Sequence, residues 1–432
     1  MYFIVDCQVL VILSMLKSFR NLIKYFSSSA TYSRLLEKGN NLYVAGDYRR
    51  ALKFYQKILK QNPEDLVALY NYATACFFLQ DYNAAKLGAD TLIKLFPEKA
   101  CGWSLRGRIL LEEGGYSTAV VDLQRAVELD SSDYWNSNYL SQALQKCGRR
   151  NEAAKIALQA VNLSGGDDSQ HLNMAYTLYE NSLEDGTSSV FEILQQWYNK
   201  YQDNPIVKQS WKSFFFDKNY DKSDSHYVEK VFDCFADSFD ETLHDLEYDS
   251  PRQIAKILSE KMNIDSAKRY NILDLGCGTG LCGKVLDSLF KKRFMTGVDL
   301  SGQMLKRACA KKCYDHLEKA EIEQYLKCKK DDFDLIVAAD VVTYFGSLDE
   351  LFYLVFSALK NGGYFAFSVT KNDINENDYF LHSSGRFIHA ENYLKNVLQK
   401  NGFRICKQVD SFLRKEGEKD VNGWIILVHK KV

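Results

Sequence analysis

The stretch Asn271-Ile-Leu-Asp-Leu-Gly-Cys-Gly-Thr-Gly280 decides how the second half of this 432-residue chain is read. Asn271 to Leu275 has the length and apolar content of a buried strand, and it runs without a linker into three glycines at alternate positions. Lacking a Cβ, glycine lets a backbone turn sharply and pass close beneath a bound group. A helical pattern follows from Leu281 to Phe290, then a second strand from Phe294 to Val298 ending in Asp299. This is a strand, glycine loop, helix, strand and acid in order, the arrangement of a nucleotide-type site. Asp299 can accept both hydroxyls of a ribose with one carboxylate. A dinucleotide fingerprint would need a further glycine at position 281, where Leu281 stands.

Downstream the pattern repeats. Phe333 to Asp340 reads as a fourth strand with an acid at its tip, Leu348 to Leu359 as a helix, Gly362-Gly363 as a turn and Tyr364 to Val369 as a fifth strand. Helix Ala390 to Lys400, strand Phe403 to Val409 and strand Gly423 to His429 close the chain. Upstream, between Asp217 and Asp249, eleven acids face three lysines. Val228, Val231, Phe232, Phe235, Phe239 and Leu243 keep helical spacing there, which predicts one amphipathic bridging helix. Its acidic face is either solvated or a docking surface for a basic partner.

The first half is organised by a repeat. Ala51, Ala85, Ala119 and Ala153 recur every 34 residues, with Gly39, Ala73, Gly107 and Ser141 twelve positions before them. The turns return as Gly46-Asp47-Tyr48, Gln80-Asp81-Tyr82, Gly114-Gly115-Tyr116 and Gly148-Arg149-Arg150, and Pro63 and Pro97 end the first two units. Residues 168–216 read as a degenerate fifth unit and a cap.

Composition agrees with a folded chain: 46% hydrophobic, 26% charged, 13% aromatic, with only 4 prolines. A net charge of −1 offers no footprint for nucleic acid. The 11 cysteines show neither a C-x-x-C pair nor metal-ligand spacing, so they read as free thiols, with no metal site. No apolar run is long enough to span a membrane. A cytoplasmic location is expected; Met15 to Leu36, basic and acid-poor, is the alternative signal of a mitochondrial transit peptide, or marks a start at Met15 rather than Met1. The expected domains are a leader over 1–31, a repeat solenoid over 32–216, the acidic bridge over 217–250 and an α/β domain over 251–432.

The 34-residue helix-turn-helix resembles the tetratricopeptide repeat. The ordered set D-L-G-C-G-T-G, V-D-L-S and Met304-Leu305 resembles the class I S-adenosylmethionine-dependent methyltransferases. F-D-x-x-A-x-x-F-D at Phe232, Y-x-x-P at Tyr248, A-A-D-V-V-T-Y-F-G, and S-G-R-F-I-H at Ser384 narrow the likeness to methyltransferases with N-terminal tetratricopeptide repeats. The resemblance implies a helical solenoid followed by a Rossmann-like, seven-stranded sheet of order 3-2-1-4-5-7-6. It also implies S-adenosyl-L-methionine as cofactor, with Asp274, Gly276, Cys277, Gly278, Asp299 and Leu300 about its methionine and ribose. Glu321 and Ile322 would flank adenine, and Asp340 would line the mouth where methyl is transferred. The chain departs from the family at Ala320-Glu321, where Ala-Asp is usual.

Tyr344 and His389 are the groups nominated to orient or deprotonate an acceptor, since both can exchange protons near the sheet's carboxyl edge. Asp340 is followed by Val341-Val342 rather than Pro-Pro-aromatic, which lowers amide and nucleobase amino acceptors. The insert from Lys371 to Ala390 either builds the acceptor pocket or caps the sheet. The expected function is methyl transfer to a protein or protein-borne acceptor held by the repeat groove, with Asn40, Asn71, Tyr72, Arg106 and Asn138 as candidate groove residues. The alternatives are a small-metabolite methyltransferase whose repeats serve assembly, and a repeat scaffold with a catalytically silent cofactor domain.

Overall fold

The computed structural model describes residues 30–182, 188–215, 220–373, 378–416 and 419–431. Nearly all of the 1–31 leader, Asp217 and Glu376 lie outside the described residues. The chain divides into two compact units at Tyr198. No helix among the described residues is long and apolar enough to cross a membrane.

In the first unit the 34-residue period becomes four helix pairs, from Ala30–Val44 with Tyr48–Gln61 to Tyr134–Lys146 with Arg150–Leu163. The turn inside each pair needs one left-handed residue, supplied by Gly46 (φ 76°), Gln80 (φ 60°), Gly114 (φ 79°) and Gly148 (φ 74°). Asp47 and Asp81 cap the second helices by accepting the N–H groups of Arg50 and Ala84. The small residues sit where paired helices touch: a Cβ on Gly39 would lie 2.7 Å from the Tyr55 ring, and one on Gly107 2.5 Å from Leu123 Cγ. The repeat alanines Ala51, Ala85, Ala119 and Ala153 are wholly buried. Beyond them, Trp197 is buried and donates to His171 Nδ1 at 2.8 Å, so that part of the aromatic stripe is core.

Most of the groove candidates are engaged internally. Asn40 Oδ1 accepts from Tyr55 Oη and Asn71 Nδ2, both at 2.9 Å. Arg106 holds Asp122 at 2.7 and 2.8 Å and Asp90 at 2.9 Å. Asn138 donates to Gln170 at 2.6 Å.

The second unit is built on a sheet of order β3-β2-β1-β4-β5-β9-β8, with β1 Tyr270–Leu275, β2 Arg293–Asp299, β3 His316–Lys319, β4 Phe333–Ala338, β5 Leu359–Thr370, β8 Phe403–Glu416 and β9 Lys419–Lys430. The first five strands are parallel and β9 runs antiparallel between β5 and β8, which is the expected 3-2-1-4-5-7-6 order. β1 and β4 are buried almost throughout because helices cover both faces. The insert contributes a hairpin, β6 Tyr379–Leu381 with β7 Phe387–His389. β8 continues seven residues beyond the expected Val409.

Two sequence expectations are corrected. The bridge is two helices, Ser225–Phe235 and Phe239–Asp245, broken at 236–238. Much of its acidity is spent inside the unit: Glu229 pairs with Lys319 at 2.7 Å, Asp237 with Arg307, Asp240 with Lys311 at 2.6 Å and Glu247 with Lys415 at 2.5 Å. These are internal contacts with basic residues of the α/β domain. The helix Pro205–Phe215, expected to cap the solenoid, belongs to the second unit, where Gln209 Nε2 donates to the Gly385 carbonyl at 3.0 Å.

Candidate active site

The site grows from the carboxyl ends of β1, β2 and β4. After β1 the loop takes positive φ at Gly276 (61°), Gly278 (54°) and Gly280 (90°), a conformation that L side chains rarely adopt. At Gly276 a Cβ would also lie 2.5 Å from Val341 Cγ2. The loop is pinned by Cys277 N–H donating to the Val298 carbonyl at 3.0 Å. Gly278 N–H donates to Asp299 Oδ2 and Ser301 N–H to Asp299 Oδ1, each at 2.8 Å. Both Asp299 oxygens are thus oriented by backbone donors and keep lone pairs for ribose hydroxyls. Burial pushes the Asp299 carboxyl up to about 6, against the opposing pull of those backbone N–H groups.

Asp274, expected among the cofactor contacts, is 1% exposed and accepts from Tyr314 Oη at 2.6 Å. Burial raises it to about 7. It braces the loop from within. Tyr314 was not legible as a site residue; its ring fits because Gly283 and Gly297 have no side chain, a Cβ on Gly283 falling 2.3 Å from Tyr314 Cζ. Cys277 is buried with its thiol pushed well above the ordinary range by burial, an inert filler of the loop. Thr279 ties the loop to the bridge, its hydroxyl to Asp240 and its carbonyl to Lys311 Nζ at 2.8 Å. Asp233 accepts from Ser301 Oγ at 2.5 Å beside Asp299. The bridging helices therefore cover the cofactor side of the sheet.

The adenine side differs from the expectation. Ile322 is buried and Leu300 half-buried at strand ends, but Glu321 is paired with Lys222 Nζ at 2.5 Å, and Lys222 also holds Glu323. Lys222 lies on a strap that follows the edge of the turn after β4. Gly346 N–H donates to the Asp221 carbonyl at 2.7 Å, and Ser223 N–H donates to the Tyr344 carbonyl at 2.9 Å.

At the tip of β4, Asp340 has φ 61° and its N–H donates to Ser368 Oγ at 2.7 Å. Arg414 Nη1 holds both Asp340 oxygens, at 3.0 and 2.8 Å, and its Nη2 reaches Glu416 at 2.8 Å. Arg386 also pairs with Glu416 and hydrogen-bonds Tyr344. Burial works against ionisation of Glu416, yet Arg414 and Arg386 hold it down to about 2. Asp340, Arg414, Glu416, Arg386 and Tyr344 form one neutralised network. Arg414 and Glu416 lie on the part of β8 beyond the expected end at Val409; no glycine or proline interrupts the chain before Gly417, which is the sequence signal for the longer strand.

The two nominated proton carriers fare differently. Tyr344 is 9% exposed, edge-on to Phe232 at 5.7 Å, and stands within the network. His389 is wholly buried, donates from Nε2 to the Gly346 carbonyl at 3.1 Å and is pushed down to about 4 by burial. It is a neutral strut at the end of the hairpin strand β7, sealed from any acceptor rather than poised as a base.

The loop, whose left-handed glycines present backbone rather than side chains at the carboxyl end of β1, and the oriented Asp299 fit S-adenosylmethionine, which would supply an already activated methyl group. Residues 266–409 match the family described as Methyltransferase domain, and residues 42–109 match Tetratricopeptide repeat. Malonyl-[acyl-carrier protein] O-methyltransferase 1 of Ilyobacter polytropus is 28% identical over 183 residues, 39% of this chain and 67% of that protein. Small glutamine-rich tetratricopeptide repeat-containing protein 2 of Mycosarcoma maydis is 31% identical over 104 residues, 24% of this chain and 30% of that protein. A crystal structure of a SAM-dependent methyltransferase from Methanosarcina mazei aligns with TM-score 0.34 and 19% identity, covering 41% of this chain and 97% of that one. The chain thus spans about two thirds of one curated relative and under a third of the other. Both matches fall on the elements described: a methyltransferase domain on the sheet and its glycine loop, and tetratricopeptide repeats on the helix pairs of the first unit.

Proposed function

We propose that the protein methylates a carboxylate on a protein or protein-borne acceptor that the repeats recruit. The observation that carries this reading is that the groups at the transfer mouth are already committed. Asp340 is gripped by Arg414, Tyr344 is bonded to Arg386, and His389 is sealed away and neutral. An acceptor such as an amine or alcohol needs a base, whereas a carboxylate arrives ionised at neutral pH and needs only to be placed in line and shielded from water. The relative that methylates a malonyl group on a carrier protein supports an acid as acceptor class.

The test is transfer of labelled methyl from S-adenosylmethionine into cell lysate by the full chain. Label in macromolecular material that mild alkali releases as methanol supports an ester on a protein-borne acid; alkali-stable label contradicts the carboxylate, and label confined to small molecules contradicts the recruited acceptor. A chain lacking residues 1–197, which keeps the strap and the bridging helices, should bind cofactor normally and lose about tenfold or more in kcat/KM on the native acceptor.

A further inference from the structure

The charged network at the tip of β4 is neutral in sum but not equally sealed. Arg386 lies on the turn between β6 and β7, and its side chain is 30% exposed, against 3% for Arg414 and 19% for both Glu416 and Asp340. Burial works against its charge, but Tyr344, Glu416 and Asp340 outweigh it and keep it ionised. A group that is partly desolvated and still reached by water lines a recess. The bond that Arg386 makes to Glu416 is a shared one. Glu416 Oε1 already accepts from Arg414 Nη2 at 2.8 Å and from Arg414 Nε at 3.2 Å, and Arg386 Nη1 is the third donor on that one oxygen. A guanidinium carries five N–H donors, and none of the Arg386 nitrogens is sealed without a partner. Beyond Glu416 and Tyr344 nothing among the described residues takes its fork, so the remaining edge opens to the recess.

The backbone beneath that edge is fixed. Three successive carbonyls are tied down: Gly385 accepts from Gln209 Nε2 at 3.0 Å, Arg386 from the His382 N–H at 2.8 Å and Phe387 from Thr343 Oγ1 at 3.2 Å. Gly385 takes φ 79°, and a Cβ there would fall 2.9 Å from Tyr227 Oη of the first bridging helix. Thr343 and Tyr344 belong to the turn after β4, so the hairpin holds Arg386 beside the transfer mouth before any acceptor arrives. A donor fork held in this way loses little freedom on binding.

Hydrogen bonds from a guanidinium to a carboxylate are charge-assisted and directional. We propose that Arg386 is the acceptor-binding residue, its open edge donating to one oxygen of the acceptor carboxylate and leaving the other toward the transfer mouth. Glu416, itself anchored by Arg414, aims the fork. This assignment rests on the carboxylate reading above and deepens it: the insert hairpin, whose role the sequence left open between acceptor pocket and cap, supplies the group that selects an acid.

The test reads binding rather than turnover. The full chain, in the presence of S-adenosylhomocysteine, is titrated by ligand-observed NMR with monoethyl malonate and with its neutral isostere ethyl malonamate. The wild type should bind the carboxylate about tenfold or more tighter than the amide. Arg386→Met should bring that ratio to within about twofold while calorimetry shows unchanged cofactor affinity, and Arg386→Gln, which can keep a hydrogen bond to Glu416, should do the same. Should Arg386→Met fail to fold, Arg386→Gln alone decides. The wild-type ratio in either folded variant overturns the assignment to Arg386 and leaves the carboxylate reading in place. Equal affinity of the wild type for the two probes, or binding of neither, overturns the assignment as well, and the carboxylate reading then stands or falls on the alkali release of the label.

Discussion

Two buried arginines stand in opposite electrostatic states. At the sheet edge Arg414, 2% exposed, holds Asp340 through both oxygens and Glu416 beside it. On the repeat face Arg108, 9% exposed, lies over the Phe77 and Tyr139 rings and makes no ion pair among the described residues. A satisfied charge fixes geometry: Arg414 clamps the tip of β4 to β8 and holds the strained Asp340 backbone in place. The same residue type is therefore neutralised by carboxylates in one region and flanked by aromatic rings in the other.

The largest effect should come from breaking the satisfied site. Arg414→Met strands the Asp340 carboxylate in a mostly buried place, leaves Glu416 to Arg386 alone, and should cost about 3 to 5 kcal/mol in chemical denaturation of the second unit. Arg108→Met removes an uncompensated charge and should leave the first unit within about 1 kcal/mol of wild type, or more stable. Equal losses in the two variants would erase the contrast.

Next comes Asp299→Ala, which should weaken S-adenosylmethionine binding by about 1.5 to 3 kcal/mol in calorimetry while the repeats stay folded. Because ribose hydroxyls donate to the ionised carboxylate, affinity in the wild type should fall as pH drops through about 6, where Asp299 protonates. Affinity flat from pH 5 to 8 would remove Asp299 from the site.

A smaller effect concerns stability against pH. Asp274 and Asp299 titrate near 7 and 6 in the fold, above the roughly 3.9 of an unfolded Asp. Groups raised in this way bind protons more tightly when folded, so the stability they contribute is full below about pH 4 and is lost as pH rises through 6 to 7. Asp274→Asn cannot ionise and should flatten that decline by on the order of 1 to 3 kcal/mol between pH 5 and 8. Parallel Tm-against-pH curves for the two proteins would contradict it.

The smallest change is expected from Lys222→Met. Its pairs with Glu321 and Glu323 are partly exposed and worth about 1 kcal/mol or less each, so cofactor affinity should move by under tenfold. A larger loss would make the strap a direct part of the cofactor site.

The 34-residue period, the strand order and the glycine loop were legible in sequence because each depends on local rules. A left-handed turn demands a residue that tolerates it, touching helices demand small side chains, and a buried parallel strand demands an apolar run. The site residues tied to such rules, Gly276, Gly278 and Asp299, lie where the pattern placed them. What only the tertiary structure decided are contacts between distant segments: Lys222 with Glu321, Asp240 with Thr279, Arg414 with Asp340, and Arg108 with the Phe77 and Tyr139 rings. The burial of His389 and the inward turn of the acidic bridge belong to the same class. Periodicity says which face of a helix is apolar, but whether a charge on the other face meets solvent, a counter-ion or an aromatic ring depends on which segment packs opposite, and that is set by the whole fold.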